Sequence, residues 1–282
     1  MATAYCDPDL CSAQAARQAR SAGVLEGAAD SIDGIALGIL WDAVEGRGPD
    51  RVRNGELVLG DQGNASVAGY IRPFRVPRPL SGPPGPLHAA LGLLWEAGLA
   101  DDPGTDNVTA AFDYTEYRRL LKSLRPGGGV PLTTSMLHFL EGLTAVLGLQ
   151  YGPGRGPAAA DALAQTAHRN EDGAYLTHPT QAPDRAWVLD WEPLVRAALS
   201  DLVLGVPVGR IIARIDNGLV EGMTRITGVM NVATVVLAGD CFHSRHLRLR
   251  AIRALREQGH RVVLGTGAER SNPAELRLQP TL

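Results

Sequence analysis

The sequence predicts an α/β protein, and three observations carry that reading. Its first third holds short apolar runs bounded by polar, glycine-containing stretches, its middle repeats apolar residues at helical spacing, and residues 231–267 alternate strand, helix and strand. The chain is large enough for a sizeable core: 282 residues, 45% hydrophobic and 20% charged, which excludes a disordered chain. A formal net charge of −3 gives no general basic field for nucleic acid or anionic lipid, so proteins and small molecules are the expected partners.

Along the chain, residues 9–22 carry strong helix formers with Asp9 placed to cap them, so 1–33 reads as an N-terminal helical appendage to a main lobe over 34–282. Residues 34–41 (GIALGILW) form a buried-strand run that ends in the polar loop 42–50 (DAVEGRGPD). Residues 56–61 and 66–71 read as a hairpin-like pair of strands. Pro73, Pro77, Pro79, Pro83, Pro84 and Pro86 then exclude helix interior and central strand and mark a connector.

Helical spacing follows at 87–99, 114–124, 135–148, 157–167, 191–204 and 207–226, with Asp190 and Pro207 as start signals. The end of the chain reads as a βαβ unit: the β-branched run 231–240, a glycine-closed helix over 243–259, and a strand at 260–267. No fixed-period repeat is visible, which excludes solenoids and propellers.

Several chemistries are excluded. No apolar run is long enough for a membrane span, and residues 1–18 are acidic and polar where a secretory leader is basic and then apolar, so a cytoplasmic location is expected. Cys6, Cys11 and Cys241 are too few and too scattered for a disulfide framework. Lys122 is the one lysine, no GxxxxGK[ST] phosphate loop occurs, and no GxSxG elbow surrounds a serine.

Two turns remain as candidate sites. Asp42 to Asp50 places carboxylates and glycines at a strand's carboxyl end, where open α/β sheets bind ligands. Residues 237–246 (LAGDCFHSRH) run from a strand into a helix whose free N–H groups suit an anion. Cys241, His243 and His246 have zinc-ligand chemistry but need a fourth group from elsewhere, so a packed cysteine with surface histidines is the simpler reading. Arg118, Arg119 and Lys122 read as a solvated face, and Trp187 and Trp191 as core anchors.

Several segments, in order, resemble the carboxyl-terminal portion of HypF-type carbamoyltransferases, members of the actin-like ATPase superfamily with TsaD and the antibiotic O-carbamoyltransferases. They are Trp41 through Arg47 against the family's DGTGYG loop, 53–57 (RNGEL) against WGGEF, and 71–77 (IRPFRVP) against LRPxPLP. The series continues with 130–149 (VPLTTSMLHFLEGLTAVLGL), 189–205, 211–220 (IIARIDNGLV) and 235–247 (VVLAGDCFHSRHL). The likeness covers about residues 34–266.

The resemblance implies a ribonuclease-H-like, actin-like lobe, the second half of such a domain, with a helical middle insertion. It implies ATP with magnesium as cofactor, carbamoyl transfer through carbamoyl-adenylate, and a part in making the cyanide ligands of nickel–iron hydrogenase, with HypE's terminal cysteine as acceptor. Carried residue by residue, it points to Asp42, Gly239, Asp240, Ser244 and Asn217 as nucleotide-binding positions. A metal at the same edge would use Asp42 and Asp240, and no complete metal set or catalytic residue emerges.

The departures fall on the ligand face. The family's acylphosphatase, zinc-finger and YrdC-like modules and the first half of its actin-like domain have no room ahead of Gly34, and no HxxxH metal motif occurs. Ala43, Val44 and Glu45 replace loop glycines, Asp240 replaces a glycine, Ser244 an asparagine and Asp216 a histidine, while Gly154 to Asp161 lack the family's glutamine and first glutamate. Two readings follow. One is a HypF-like carbamoyltransferase component whose missing half comes from another chain; the other is an inactive scaffold that holds a maturation partner, and the altered loops weigh against catalysis by this chain alone. Loss of the other half also predicts an exposed apolar patch, covered by a homodimer, a protein partner or the N-terminal helix 9–22 folded over the cleft, with the homodimer favoured.

Overall fold

Strand Ala36–Trp41 (β1) forms the centre of the molecule because its residues are apolar without interruption: Leu37, Ile39 and Trp41 are fully buried. It pairs antiparallel with Gly55–Asp61 (β2), which pairs antiparallel with Asn64–Ile71 (β3). On its other side β1 runs parallel to Thr234–Ala238 (β8), and β8 runs parallel to Arg261–Leu264 (β9). Every residue of β8 is buried, as expected of a parallel strand covered on both faces. The computed structural model describes residues 36–41, 55–61, 64–149, 157–168 and 170–265. The expected helix at 9–22 and the loop 42–50 lie outside the described residues.

Three antiparallel strands continued by parallel ones give a ribonuclease-H-like core, and the sheet extends further. Its full order is β6-β7-β3-β2-β1-β8-β9, with Trp187–Asp190 (β7) parallel to β3 and His178–Gln181 (β6) antiparallel to β7. The helix-rich middle of the chain thus also contributes two strands that its spacing does not show. β6 escapes a pattern search because it is a mostly exposed edge strand that tolerates Pro179, and β7 is only four residues long. Gly69 permits the β3–β7 pairing, since a Cβ there would lie 2.6 Å from the carbonyl oxygen of Trp187.

The helices are Pro86–Glu96 (α1), Asp106–Thr109 (α2), Tyr114–Leu124 (α3), Met136–Val146 (α4), Pro157–Thr166 (α5), Glu192–Val203 (α6), Val208–Met230 (α7) and Arg245–Glu257 (α8). Each expected helix within the described residues is present. α7 runs on to Met230 because Gly228 is tolerated inside it, and it ends at Asn231 in the left-handed conformation (φ 50°). The connector is pinned by a small second sheet of Phe74–Arg75 (β4) and Leu132–Thr133 (β5), which the proline-dense sequence does not advertise.

Trp191 joins these layers. Its indole N–H donates to the Arg72 carbonyl at 2.6 Å, its ring meets Phe74 edge-on and Phe139 at a tilt, and the Arg72 guanidinium lies over it at 5.5 Å. Arg72 also bonds Asp190 and Glu192, so the ends of β3 and β7 and the start of α6 are held together. This matches the expectation for Trp191, while Trp187 packs partly buried against the core. Arg118 and Lys122 are exposed as expected, but Arg119 is half-buried and donates to the Arg78 carbonyl. Among the described residues no helix is long and apolar enough to cross a membrane. Large apolar side chains are exposed at scattered points, with Val203 and Leu204 adjacent at the end of α6.

Candidate functional site

The parallel strands β1 and β8 end side by side, since Leu40 pairs with Ala238, and this places Trp41 level with Gly239. Such a carboxyl edge is where α/β sheets bind ligands. Gly239 takes φ 100° and ψ 158°, a conformation essentially limited to glycine, and it starts a 3-10 turn over Asp240–His243. The turn is closed by Phe242 N–H to the Gly239 carbonyl at 3.1 Å and Ser244 N–H to the Cys241 carbonyl at 3.2 Å. Ser244 then caps α8, its hydroxyl accepting from Leu247 N–H at 3.4 Å.

Buried groups support the turn from below. Trp41 stacks on Phe242 with ring centroids 5.5 Å apart and planes 7° apart. Arg248, 4% exposed, donates to the Phe242 carbonyl at 2.9 Å. Cys241 is a buried thiol, as the packed-cysteine reading has it, but His246 is not a surface histidine, its side chain being only 13% exposed; among the described residues no group of three metal-ligating side chains gathers. Asp42 lies outside the described residues, and Asp240 is placed by its backbone within the turn.

Helix α7 supplies the second wall. His246, in the first turn of α8, brings Nε2 to 4.0 Å from Asp216 Oδ2, with both side chains nearly buried. Burial pushes the Asp216 carboxyl up to about 7, against the opposing charge of Arg250. Asn217 uses its amide nitrogen structurally, donating to the carbonyls of Glu171 at 3.0 Å and Gly173 at 2.7 Å. Its Oδ1 is buried and has no partner among the described residues. Gly239, Asp240 and Ser244 thus share one turn, while Asn217 belongs to the clamp on the 171–173 loop and is linked to that turn through its neighbour Asp216.

Glu171 anchors that loop. Its carboxylate accepts from Arg210 at 2.6 Å and Gly173 N–H at 2.9 Å and lies 3.5 Å from Arg214, and its carbonyl accepts from Arg250. The Arg210 hydrogen bond, with the Gly173 N–H and the Arg214 charge, pulls the carboxyl down to about 2. Sequence reading missed Glu171, Arg210 and Arg250. Arg210 and Arg214 are one helical turn apart, which marks a basic face, but nothing local to Glu171 reveals its partners.

Residues 38–269 match the family model described as carbamoyltransferase, Kae1-like domain, second subdomain. The chain belongs to this carbamoyltransferase family. It is 27% identical over 238 residues to carbamoyltransferase HypF of Synechocystis, a match covering 79% of this chain and 30% of the relative. Full-length HypF solved in a phosphate- and nucleotide-bound form superposes with a TM-score of 0.74 at 20% identity, over 89% of this chain and 39% of that one. HypF from T. kodakarensis superposes at 0.63 and 15% identity, over 83% of this chain and 32% of that one. The chain thus spans about a third of the length of these HypF relatives, and its fold is theirs. The glycine at position 239 and the helix start behind it suit an anionic ligand, whereas the described side chains do not by themselves compose a metal site.

Proposed function

We propose that this chain is the nucleotide-facing lobe of a HypF-type carbamoyltransferase and takes part in ATP-dependent carbamoyl transfer during nickel–iron hydrogenase maturation, in the cytoplasm. The observation that carries the reading is the β1–β8 edge. There a glycine-only backbone at Gly239 opens a turn into the Ser244-capped start of α8, the kind of strand-to-helix turn at which phosphates bind. In this reading ATP with magnesium binds at that edge through Asp42 and the Asp240 turn, and the lobe contributes positioning and charge stabilisation. The other half of the active unit comes from elsewhere in the complete protein or from a partner chain, and the carbamoyl acceptor is a HypE-like protein.

One observation favours a second reading, a scaffold that binds a maturation partner without catalysis. The Asn217 amide nitrogen is already committed to two loop carbonyls, so it has no donor left for a ligand. Calorimetric titration with ATP and magnesium, paired with Asp42→Ala, separates the two. Micromolar binding that the substitution removes supports the nucleotide-binding lobe. Silence up to millimolar ATP overturns it in favour of the scaffold.

A further inference from the structure

The seven-stranded sheet ends differently on its two sides. β6, at one end, is short, polar and mostly exposed, and it carries Pro179, which has no N–H to offer another strand. β9, at the other end, reads Arg-Val-Val-Leu, has no proline, and its side chains other than Arg261 are apolar and half-buried. Natural sheets blunt the edges they leave unused, so an unblunted edge is a surface suited to pairing.

The pairing with β8 fixes the direction of the free backbone groups. The N–H of Arg261 donates to the Ala233 carbonyl at 2.9 Å and that of Gly265 to the Leu237 carbonyl at 2.8 Å, so the odd-numbered residues turn toward β8. Strand alternation then turns the N–H and C=O of Val262 and Leu264 to the open side, where no strand among the described residues pairs with them. The side chains alternate as well. Val262 and Leu264 pack against the main core formed by the described residues, whereas Val263 lies on the other face of the sheet, outside that core, and stays partly exposed.

This edge is complementary to itself. In an antiparallel pair, residues whose backbone groups point at the partner must face residues of the same kind. The full-overlap register of two β9 strands therefore sets Val262 against Leu264 of the second copy, Val263 against Val263 of the second copy on the two-fold axis, and Arg261 against Gly265 of the second copy. Val263 sits there in a non-hydrogen-bonded pair, the closer kind, where β-branched side chains meet well, and no like charges are opposed. The contact is isologous, as a closed dimer requires.

We propose that two copies of this chain join through β9, edge to edge and antiparallel, so that their sheets become continuous across Val263. The contact is small, so the dimer is reversible and dissociates in the micromolar range. The inference rests on the sheet and not on the nucleotide-binding reading, and failure of either leaves the other standing.

The test is sedimentation equilibrium of the full chain from about 1 to 200 µM, with Val263→Lys, Val263→Glu and an equimolar mixture of the two variants. The expected result is a concentration-dependent dimer for the wild type, association weakened about tenfold or more in each variant by like charges on the axis, and recovery of the dimer in the mixture, where opposite charges meet. A wild type that stays monomeric overturns the proposal, as does a dimer that both variants form equally well. A mixture that stays monomeric overturns the pairing across Val263. Should the variants fail to fold, hydrogen exchange in the wild type decides: the Val262 and Leu264 amides are expected to gain protection as concentration rises, and exchange independent of concentration overturns the proposal.

Discussion

Asp216 on α7 and His246 on α8 face each other at 4.0 Å where α7 passes the first turn of α8, with side chains 10% and 13% exposed. The charge that bears on Asp216 is Arg250 on α8, which also donates to the carbonyl of Glu171 in the 171–173 loop. α5, packed on both helices, carries Asp161 as its one titratable group, and that residue is exposed.

A stability consequence follows from the burial of Asp216. Its carboxyl titrates near 7 in the folded chain and near 3.8 when unfolded, because burial disfavours the charged form. Between those values the folded state keeps a proton that the unfolded state releases, so this group's contribution falls as pH rises from about 4 to 7 and is flat above. Asp216→Asn is therefore expected to be more stable than the parent above pH 7, by on the order of a few kcal/mol, and to lose most of that advantage near pH 4. Urea unfolding midpoints from pH 4 to 8.5 check this; an advantage independent of pH refutes it.

Glu171 behaves with the opposite sign. Its carboxyl is held near 2 by the Arg210 hydrogen bond, the Gly173 N–H and the Arg214 charge, so its stabilisation is present above pH 4.5 and disappears as pH falls toward 2. At neutral pH Glu171→Gln is expected to destabilise the chain by about 1–3 kcal/mol, the scale of hydrogen bonds to a charged group. Hydrogen exchange of the Gly173 amide should accelerate in the variant, and unchanged exchange there counts against the clamp.

Gly239 tests the turn. With φ at 100° and ψ at 158°, alanine is strained at this position, so Gly239→Ala is expected to cost about 1–3 kcal/mol and to weaken any nucleotide binding at the edge. Thermal unfolding reads the first effect and calorimetry the second. An alanine variant with wild-type melting temperature means that the turn relaxes without strain.

Trp191→Phe removes the hydrogen bond to the Arg72 carbonyl while keeping an aromatic ring beside Phe74 and Phe139. The buried carbonyl loses its 2.6 Å donor, and a loss of about 1–3 kcal/mol is expected in chemical denaturation. A change below experimental error shows that another donor reaches that carbonyl.

Gly92→Ala probes the closest helix-to-strand approach. A Cβ at Gly92 would overlap the carbonyl oxygen of Arg75 in β4, a rigid backbone atom, so α1 must move off the second sheet. Loss of cooperative folding or of soluble expression is expected, with Gly127→Ala as a comparison: no atom lies within 4 Å of its added Cβ, although its φ of 79° is itself strained for alanine.

The α/β class, the β1 run, the closing β8–α8–β9 unit and, within the described residues, every helix except the four-residue α2 are legible in the sequence, because burial on one helix face or along a central strand imposes a local period. The order of matched segments likewise carried the family, and Gly239 and Ser244 were legible as parts of a strand-to-helix turn. Tertiary structure alone decided that β6 and β7 extend the sheet past β3, that Asn217's amide serves the 171–173 loop, and that Asp216 is buried opposite His246. Those facts depend on residues far apart in the chain, such as Glu171 meeting Arg210 and Arg250, and no local pattern encodes a partner tens of positions away. Desolvation and the hydrogen bonds that answer it exist only once the layers have packed, and they decided the charge states of Asp216 and Glu171.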